Sequence, residues 1–247
     1  MPELWSRVAK RSRALRRLLR TPVDRQYVFI VTYGRSGSTL LQRLINRMPN
    51  AHVSGENYNA LHPLYLSYLQ IVRAKEQRGR AKARTSRNPW FGSEGVRPRA
   101  YARAVGDAFV REVIRPPETA RLVGFKEIRY FEAGVDFEGF MDFMSVAFPG
   151  AKLVFNLRTG DAIAKSAWWA KQEPSAVLAR LRGYDDKMRA YAGQHPDNCL
   201  VLDYDEYVAS PESLVTLFSF LGVPHDKQMV AEVLADRLNH GRRSSES

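Results

Sequence analysis

Tyr27-Val-Phe-Ile-Val-Thr-Tyr33, Gly34-Arg-Ser-Gly-Ser-Thr39 and Leu40-Leu-Gln-Arg-Leu-Ile-Asn-Arg-Met48 follow one another without a break. The first is a short apolar run that ends at a glycine, the pattern of a strand buried on both faces of a parallel sheet. The third carries apolar residues at helical spacing and stops at Pro49. Strand, glycine loop and helix in this order form the first half of a βα unit. Glycines at such a junction let the chain turn sharply and bring backbone N–H groups close to an anion, and the positive end of the helix dipole adds to the attraction. Ser36, Ser38 and Thr39 contribute hydroxyl donors, and Arg35 contributes a permanent charge with forked donors. The loop from Gly34 to Thr39 is therefore expected to bind phosphate.

Outward from this unit, Leu122–Phe125, Leu153–Leu157 and Leu200–Leu202 read as further short strands. Helical patterns over Ala100–Ile114, Phe137–Ala147, Asp161–Ala170, Ser175–Tyr191 and Pro211–Leu221 lie between and after them. Strands alternating with helices predict an α/β fold, a single domain with a central parallel sheet flanked by helices and a P-loop-like phosphate-binding loop. A length of 247 residues with 45% hydrophobic content supports one substantial core, and 26% charged residues is an ordinary globular value. The lone Cys199 excludes an intramolecular disulfide and any multi-cysteine metal site.

The net charge of +12 is unevenly spread. Residues 1–25 hold eight Arg/Lys against two acids, and residues 73–103 hold ten against two, so the rest of the chain is slightly negative. The first stretch reads as a basic leader helix, docked or lying on a membrane surface. The second, with Asn88-Pro89 and Trp90-Phe91-Gly92, reads as a basic mobile insert within a domain spanning 26–247. No apolar run approaches the ~18 residues needed to cross a bilayer, and no apolar signal core is visible near the start. A cytoplasmic protein is the expectation, with residues 1–25 as the candidate for peripheral membrane contact.

The loop departs from the nucleotide-hydrolysing pattern G-x-x-x-x-G-K-[ST], because its spacing is shorter and no lysine precedes Ser38 or Thr39. Instead, Tyr33-Gly-Arg-Ser-Gly-Ser-Thr-Leu-Leu41 resembles the 5′-phosphosulfate loop of sulfotransferases that use 3′-phosphoadenosine 5′-phosphosulfate (PAPS), with Arg35 where many members carry lysine. Leu153-Val-Phe-Asn-Leu-Arg158, with Ser166 eight residues further on, is similar to the element by which that family holds the 3′-phosphate. Ala167-Trp-Trp-Ala170 resembles the bacterial trehalose-type branch. Leu202-Asp-Tyr-Asp-Glu-Tyr207 and Phe220-Leu-Gly-Val-Pro224 resemble the family's C-terminal strand and helix pair. Thr159-Gly160 replaces the common Asp-Pro, and the family's C-terminal Gly-x-x-Gly-x-x-Lys loop is absent, leaving Arg242 and Arg243 as substitutes or as a basic tail.

The resemblance implies sulfuryl transfer to a hydroxyl of a sugar or other small acceptor, with PAPS bound by Gly34, Arg35, Ser36, Gly37, Ser38, Thr39, Arg158 and Ser166 and no metal required. Such a displacement needs a base for the acceptor hydroxyl and positive charge at the bridging oxygen. Arg35 and Lys126 are the expected cations. Glu56, in Ser54-Gly-Glu-Asn57, stands where trehalose-type members carry a catalytic glutamate, and to serve as a base it is expected to have its pKa raised by burial. His52 and His62 are rival bases. Trp90, Phe91, Trp168 and Trp169 are candidates for stacking on sugar or adenine, although core packing suits the last two better. Two other readings stand beside this one. An ATP-dependent small-molecule kinase is possible on the same loop fold. The basic stretches alone also suit a nucleic-acid-binding or anionic-surface-binding protein, although no nucleic-acid recognition motif is present.

Overall fold

Alternate side chains of the first strand point to opposite sides of a sheet, and both sides are covered. In a computed structural model describing residues 24–76, 85–132, 134–164 and 167–243, β1 (Gln26–Val31) sends Val28 and Ile30 into one apolar cluster and Phe29 and Val31 into another. All four are fully buried. That is why the strand reads as an unbroken apolar run rather than an alternating one.

The sheet has five parallel strands in the order β2-β3-β1-β4-β5. Here β2 is Ala51–Ser54, β3 Leu122–Glu127, β4 Lys152–Leu157 and β5 Cys199–Asp203. The helices in chain order are α1 (Ser38–Asn46), α2 (His62–Glu76), α3 (Pro98–Phe109), α4 (Phe137–Ala147), α5 (Gly160–Ala164), α6 (Pro174–Gln194), α7 (Tyr204–Ala209), α8 (Val215–Leu221) and α9 (Lys227–Arg243). Helices α1, α7, α8 and α9 cover the face of Val28, while α2, α3, α4 and α6 cover the face of Phe29. This is a single α/β domain, as the alternation of strands and helices predicts.

Local chemistry sets several boundaries. Asp136 caps α4 by accepting from Gly139 N, and Glu173 caps α6 from Ser175 N and Ala176 N ahead of Pro174. Asp203 caps α7 from Asp205 N and Glu206 N, turning the end of β5 directly into a helix.

The structure modifies several sequence expectations. Edge strand β2 was not foreseen: only Val53 of its four residues is buried, which leaves no apolar run to recognise. Helix α2 was not foreseen either. The expected insert over 73–103 is narrower, because Arg73–Glu76 complete α2 and Pro98–Arg103 begin α3. The expected helix Ala100–Ile114 changes into a π-helical turn at Val110–Ile114 and ends at Arg115 in the left-handed conformation. The expected Asp161–Ala170 helix divides into α5 and a 3₁₀ turn over Ala167–Lys171. The leader over 1–25 falls outside the described residues except for its last two.

Helices α3 and α4 meet at Gly106, where an added Cβ would lie 2.6 Å from the Ala147 carbonyl oxygen. Glycine to alanine inside an exposed helix ordinarily stabilises by about 1 kcal/mol. Here Gly106→Ala should instead destabilise, by about 1–3 kcal/mol, because the overlapping atom is rigid backbone. Urea unfolding of the variant checks the sign.

Candidate active site

All five strands deliver residues to one cleft of about 610 Å³ at their C-terminal ends. β1 is followed by Gly34, Arg35, Gly37, Ser38 and Thr39; β2 by Glu56; β4 by Arg158; β5 by Tyr204. β3 supplies Lys126 from within the strand and Arg129 just beyond it. Parallel α/β sheets hold ligands at this edge.

The loop is fixed from beneath. The Thr32 hydroxyl donates to the Asn156 carbonyl oxygen at 2.6 Å and lies 2.7 Å from the Ser36 hydroxyl. Asn156 Nδ2 donates to the Ser36 carbonyl oxygen at 2.9 Å, and the Tyr207 hydroxyl donates to Asn156 Oδ1 at 3.1 Å. Thr32, Ser36 and Asn156 are fully buried. Trp169 Nε1 donates to the Gly34 carbonyl oxygen at 3.3 Å, and Arg158 Nη1 to that of Arg35 at 2.9 Å. These bonds hold Arg35 at φ 70° and Gly37 at φ 78°. Gly37 cannot be replaced cheaply, because a Cβ there would overlap the Tyr204 ring. Helix α1 starts on this glycine, which has no side chain to cap it, so its first N–H groups are directed at the cleft.

Five cations line the cleft (Arg35, Arg43, Lys126, Arg129 and Arg158) against the single carboxylate of Glu56. Lys126 Nζ donates to Glu56 Oε1 at 2.6 Å, and Arg129 Nη1 to Glu56 Oε2 at 3.1 Å. Burial pushes the Glu56 carboxyl up, but the two cations outweigh it and hold the group below the ordinary glutamate range. The expected upward shift is thus reversed, because both carboxylate oxygens accept hydrogen bonds from cations. Arg129 Nη1 also donates to Glu127 Oε1 at 3.0 Å. Glu127 is fully buried and accepts further bonds from Ile128 N, Arg129 N, Asn57 N and Asn59 N. Arg158 lies over the Tyr204 ring at 4.6 Å, with Asp205 Oδ1 3.7 Å from its Nε. That Nε is buried and makes no hydrogen bond among the described residues, with the Asp205 carboxylate beside it.

Most of the sequence candidates meet here, and some do not. Gly34, Arg35, Gly37, Ser38, Thr39, Glu56, Lys126 and Arg158 all line the cleft. Ser36 does not: its hydroxyl faces inward to Thr32, leaving only its backbone for a ligand. His52 Nε2 sits 3.3 Å from the Ile114 carbonyl oxygen, and His62 packs against Tyr65 and Phe140, so neither rival base lines the cleft. Trp169 is buried beneath the loop, in keeping with core packing, and Trp90 and Phe91 are exposed away from the cleft lining. Ser166 and the side chains of Trp168, Arg242 and Arg243 fall outside the described residues. The sequence reading missed Arg43, Arg129, Tyr204 and Asn156. Arg43 carried a usable signal, standing four residues after Thr39 on the same helical face.

A parallel sheet whose central strand ends in a rigid glycine loop, surrounded by cations, defines a P-loop-like fold. The chain belongs to the sulfotransferase family, whose model matches residues 27–227. It is a transferase of that class, which sets it apart from the kinase and nucleic-acid readings. Among solved structures, the sulfotransferase domain of the Synechococcus PCC 7002 olefin synthase superposes with a TM-score of 0.52 at 22% identity, covering 83% of this chain and 75% of that one. At this identity the likeness is one of fold. The sulfotransferase STF9 from Mycobacterium avium aligns at 12% identity with a TM-score of 0.46, covering 89% of this chain and 69% of that one. No curated protein sequence matches the chain.

The Glu56 carboxylate stabilises the fold only while it is ionised. Its lowered folded pKa means this contribution is full above the unfolded value of 4.5 and lost as pH falls through the folded value. Glu56→Gln should therefore be less stable than wild type at pH 7, because Lys126, with its side chain 7% exposed, loses a charged partner. The gap should narrow below pH 4.5. Urea midpoints of both proteins across pH 3–7 test this, and a gap independent of pH would exclude it.

Proposed function

We propose that the protein transfers a sulfuryl group from PAPS to a hydroxyl of a sugar or other small acceptor. The observation carrying this reading is that the Arg158 guanidinium and the uncapped start of α1 line one cleft. The two are anion-binding groups on adjacent strands, β1 and β4, so one ligand bearing phosphates at both ends can engage both. The cleft volume suits a ligand of that size. When bound, PAPS supplies the sulfuryl group, which the acceptor oxygen takes in an in-line displacement as a phosphate leaves.

The chain's own groups divide the remaining work. The Gly34–Thr39 backbone and Arg35 hold the 5′ end and stabilise charge growing on the leaving oxygen. Arg158 holds the 3′-phosphate, with Ser166 as its expected companion. Lys126 faces both the loop and Glu56, so it balances charge on the transferring group while keeping the carboxylate ionised. Glu56, ionised at neutral pH, takes the acceptor proton. Its depressed pKa makes it a weak base, so orientation rather than basicity carries its effect, and the proton moves as the new bond forms. Among the described residues, no group of three or more His, Cys, Asp or Glu is placed to hold a metal ion.

Isothermal titration with 3′-phosphoadenosine 5′-phosphate in EDTA should give micromolar binding that falls at least ~10-fold in Arg158→Ala, since a charge-assisted contact is worth roughly 1.5–3 kcal/mol. No binding under these conditions, with ATP and Mg²⁺ binding instead, would overturn the reading. In an acceptor screen beginning with disaccharides, Glu56→Gln should keep that affinity but lose turnover by ~10²-fold or more. Undiminished turnover would remove Glu56 from the role of base.

A further inference from the structure

The described residues between α2 and α3, 85–97, do not line the cleft, and the last of them, Arg97, lines a second depression. A groove of about 800 Å³ runs between the two helices. Its floor is apolar, formed by Tyr68 and Val72 of α2 and Ala100 and Ala104 of α3. Its rim is cationic: Lys75 stands on one side and Arg97, Arg99 and Arg103 on the other, with Asp107 the single acid. The three arginines are exposed and form no ion pair among the described residues.

The chain leading into this rim presents two large apolar rings to solvent. Asn88 Oδ1 accepts from Trp90 N at 2.9 Å and its carbonyl oxygen accepts from Phe91 N at 3.0 Å, so Trp90 and Phe91 crown a turn closed by its own hydrogen bonds. Trp90 is 44% exposed and Phe91 59%. Further turn bonds from Ser93 N to Trp90 O and from Val96 N to Ser93 O bring the chain straight to Arg97. The aromatic tip and the cationic rim are therefore joined along the chain by a hydrogen-bonded turn.

We propose that this face, Trp90 and Phe91 with the Arg97, Arg99 and Arg103 rim, docks the protein on an anionic lipid surface. Cations lie at the level of the head groups, and the two rings enter the interface just beneath, where amphipathic and aromatic side chains lose the most unfavourable contact with water. The occupant must be negative, which rules out the chain's own basic residues 1–25. It must also take up two exposed rings, and aromatic side chains beside a cationic rim are the composition of an interfacial membrane anchor.

Co-sedimentation of the full chain with phosphatidylcholine vesicles, with and without phosphatidylglycerol, tests the proposal. Wild type should bind the anionic vesicles only, and less at high salt. Arg97→Gln/Arg99→Gln/Arg103→Gln should weaken binding on the order of 10²-fold, at about fivefold per cation. Trp90→Ala/Phe91→Ala should weaken it at least ~10-fold. Both sets of changes are at exposed positions, and a wild-type thermal melt with unchanged 3′-phosphoadenosine 5′-phosphate affinity confirms that the fold and cleft persist. Equal binding to neutral vesicles, no binding to either, or binding that survives both variants would overturn the proposal. So would salt-dependent binding to polyuridylate in preference to vesicles, which would make the face a nucleic-acid surface.

Discussion

The structure depends on the buried bonding of Asn156. This residue sits near the C-terminal end of β4 with no exposure, and a buried amide costs free energy unless its donors and acceptors are matched. Its side chain is matched by the Ser36 carbonyl and the Tyr207 hydroxyl, and its backbone carbonyl by Thr32. One residue of β4 thereby ties the loop after β1 to the helix after β5. Without such bonds, Arg35 in a left-handed conformation costs of order 1 kcal/mol or more, and the loop would relax toward other turns. The geometry that aims backbone N–H groups at a ligand is therefore maintained by side chains that never touch it.

The same logic organises the opposite side of the cleft. Glu127, fully buried, gathers four backbone N–H groups from the segments around Asn57 and Ile128, together with the Arg129 guanidinium. Asn57 and Asn59 flank Tyr58, and Tyr58 and Asn59 both have positive φ. This turn places Glu56 opposite Lys126 and Arg129. Glu127 thus fixes where Glu56 stands, and the two cations fix its charge. Two buried polar residues, on the strands either side of β1, build the two walls of one cleft.

The sequence made the strand, loop and helix at 27–48 legible because each is a local pattern: an apolar run, glycines, a 3.6-residue period. The same holds for β3, β4, β5 and the 11 residues of α4. Loop residues and Arg158 were legible because they sit next to such elements. What stayed hidden depends on pairing at long range. β2 has one buried residue and exists by its hydrogen bonds to β3. Asn156 looks like a blemish in an apolar strand until its partners, 120 residues away and 51 residues away, are known. The inversion of the Glu56 pKa needed Lys126 and Arg129, 70 and 73 residues distant, to be placed beside it. The charges of these residues were visible; their adjacency was not.

That distinction separates the two basic regions of the molecule. Within the cleft, Lys126, Arg129, Arg158 and Arg43 each face a carboxylate, of Glu56, Glu127, Asp205 and Asp236 respectively. Paired cations are held in position, lose less side-chain entropy on meeting a ligand and discriminate by geometry. The arginines of the α3 rim are solvated and unpaired among the described residues, so they attract by field more than by fit, and salt weakens them within a Debye length. A single count of +12 conceals this division. Carboxylates in and around the cleft offset part of the charge of the cations that line it. The excess lies in residues 1–25 and 73–103, of which no described residue lines the cleft, so the net charge is a poor guide to what the cleft holds.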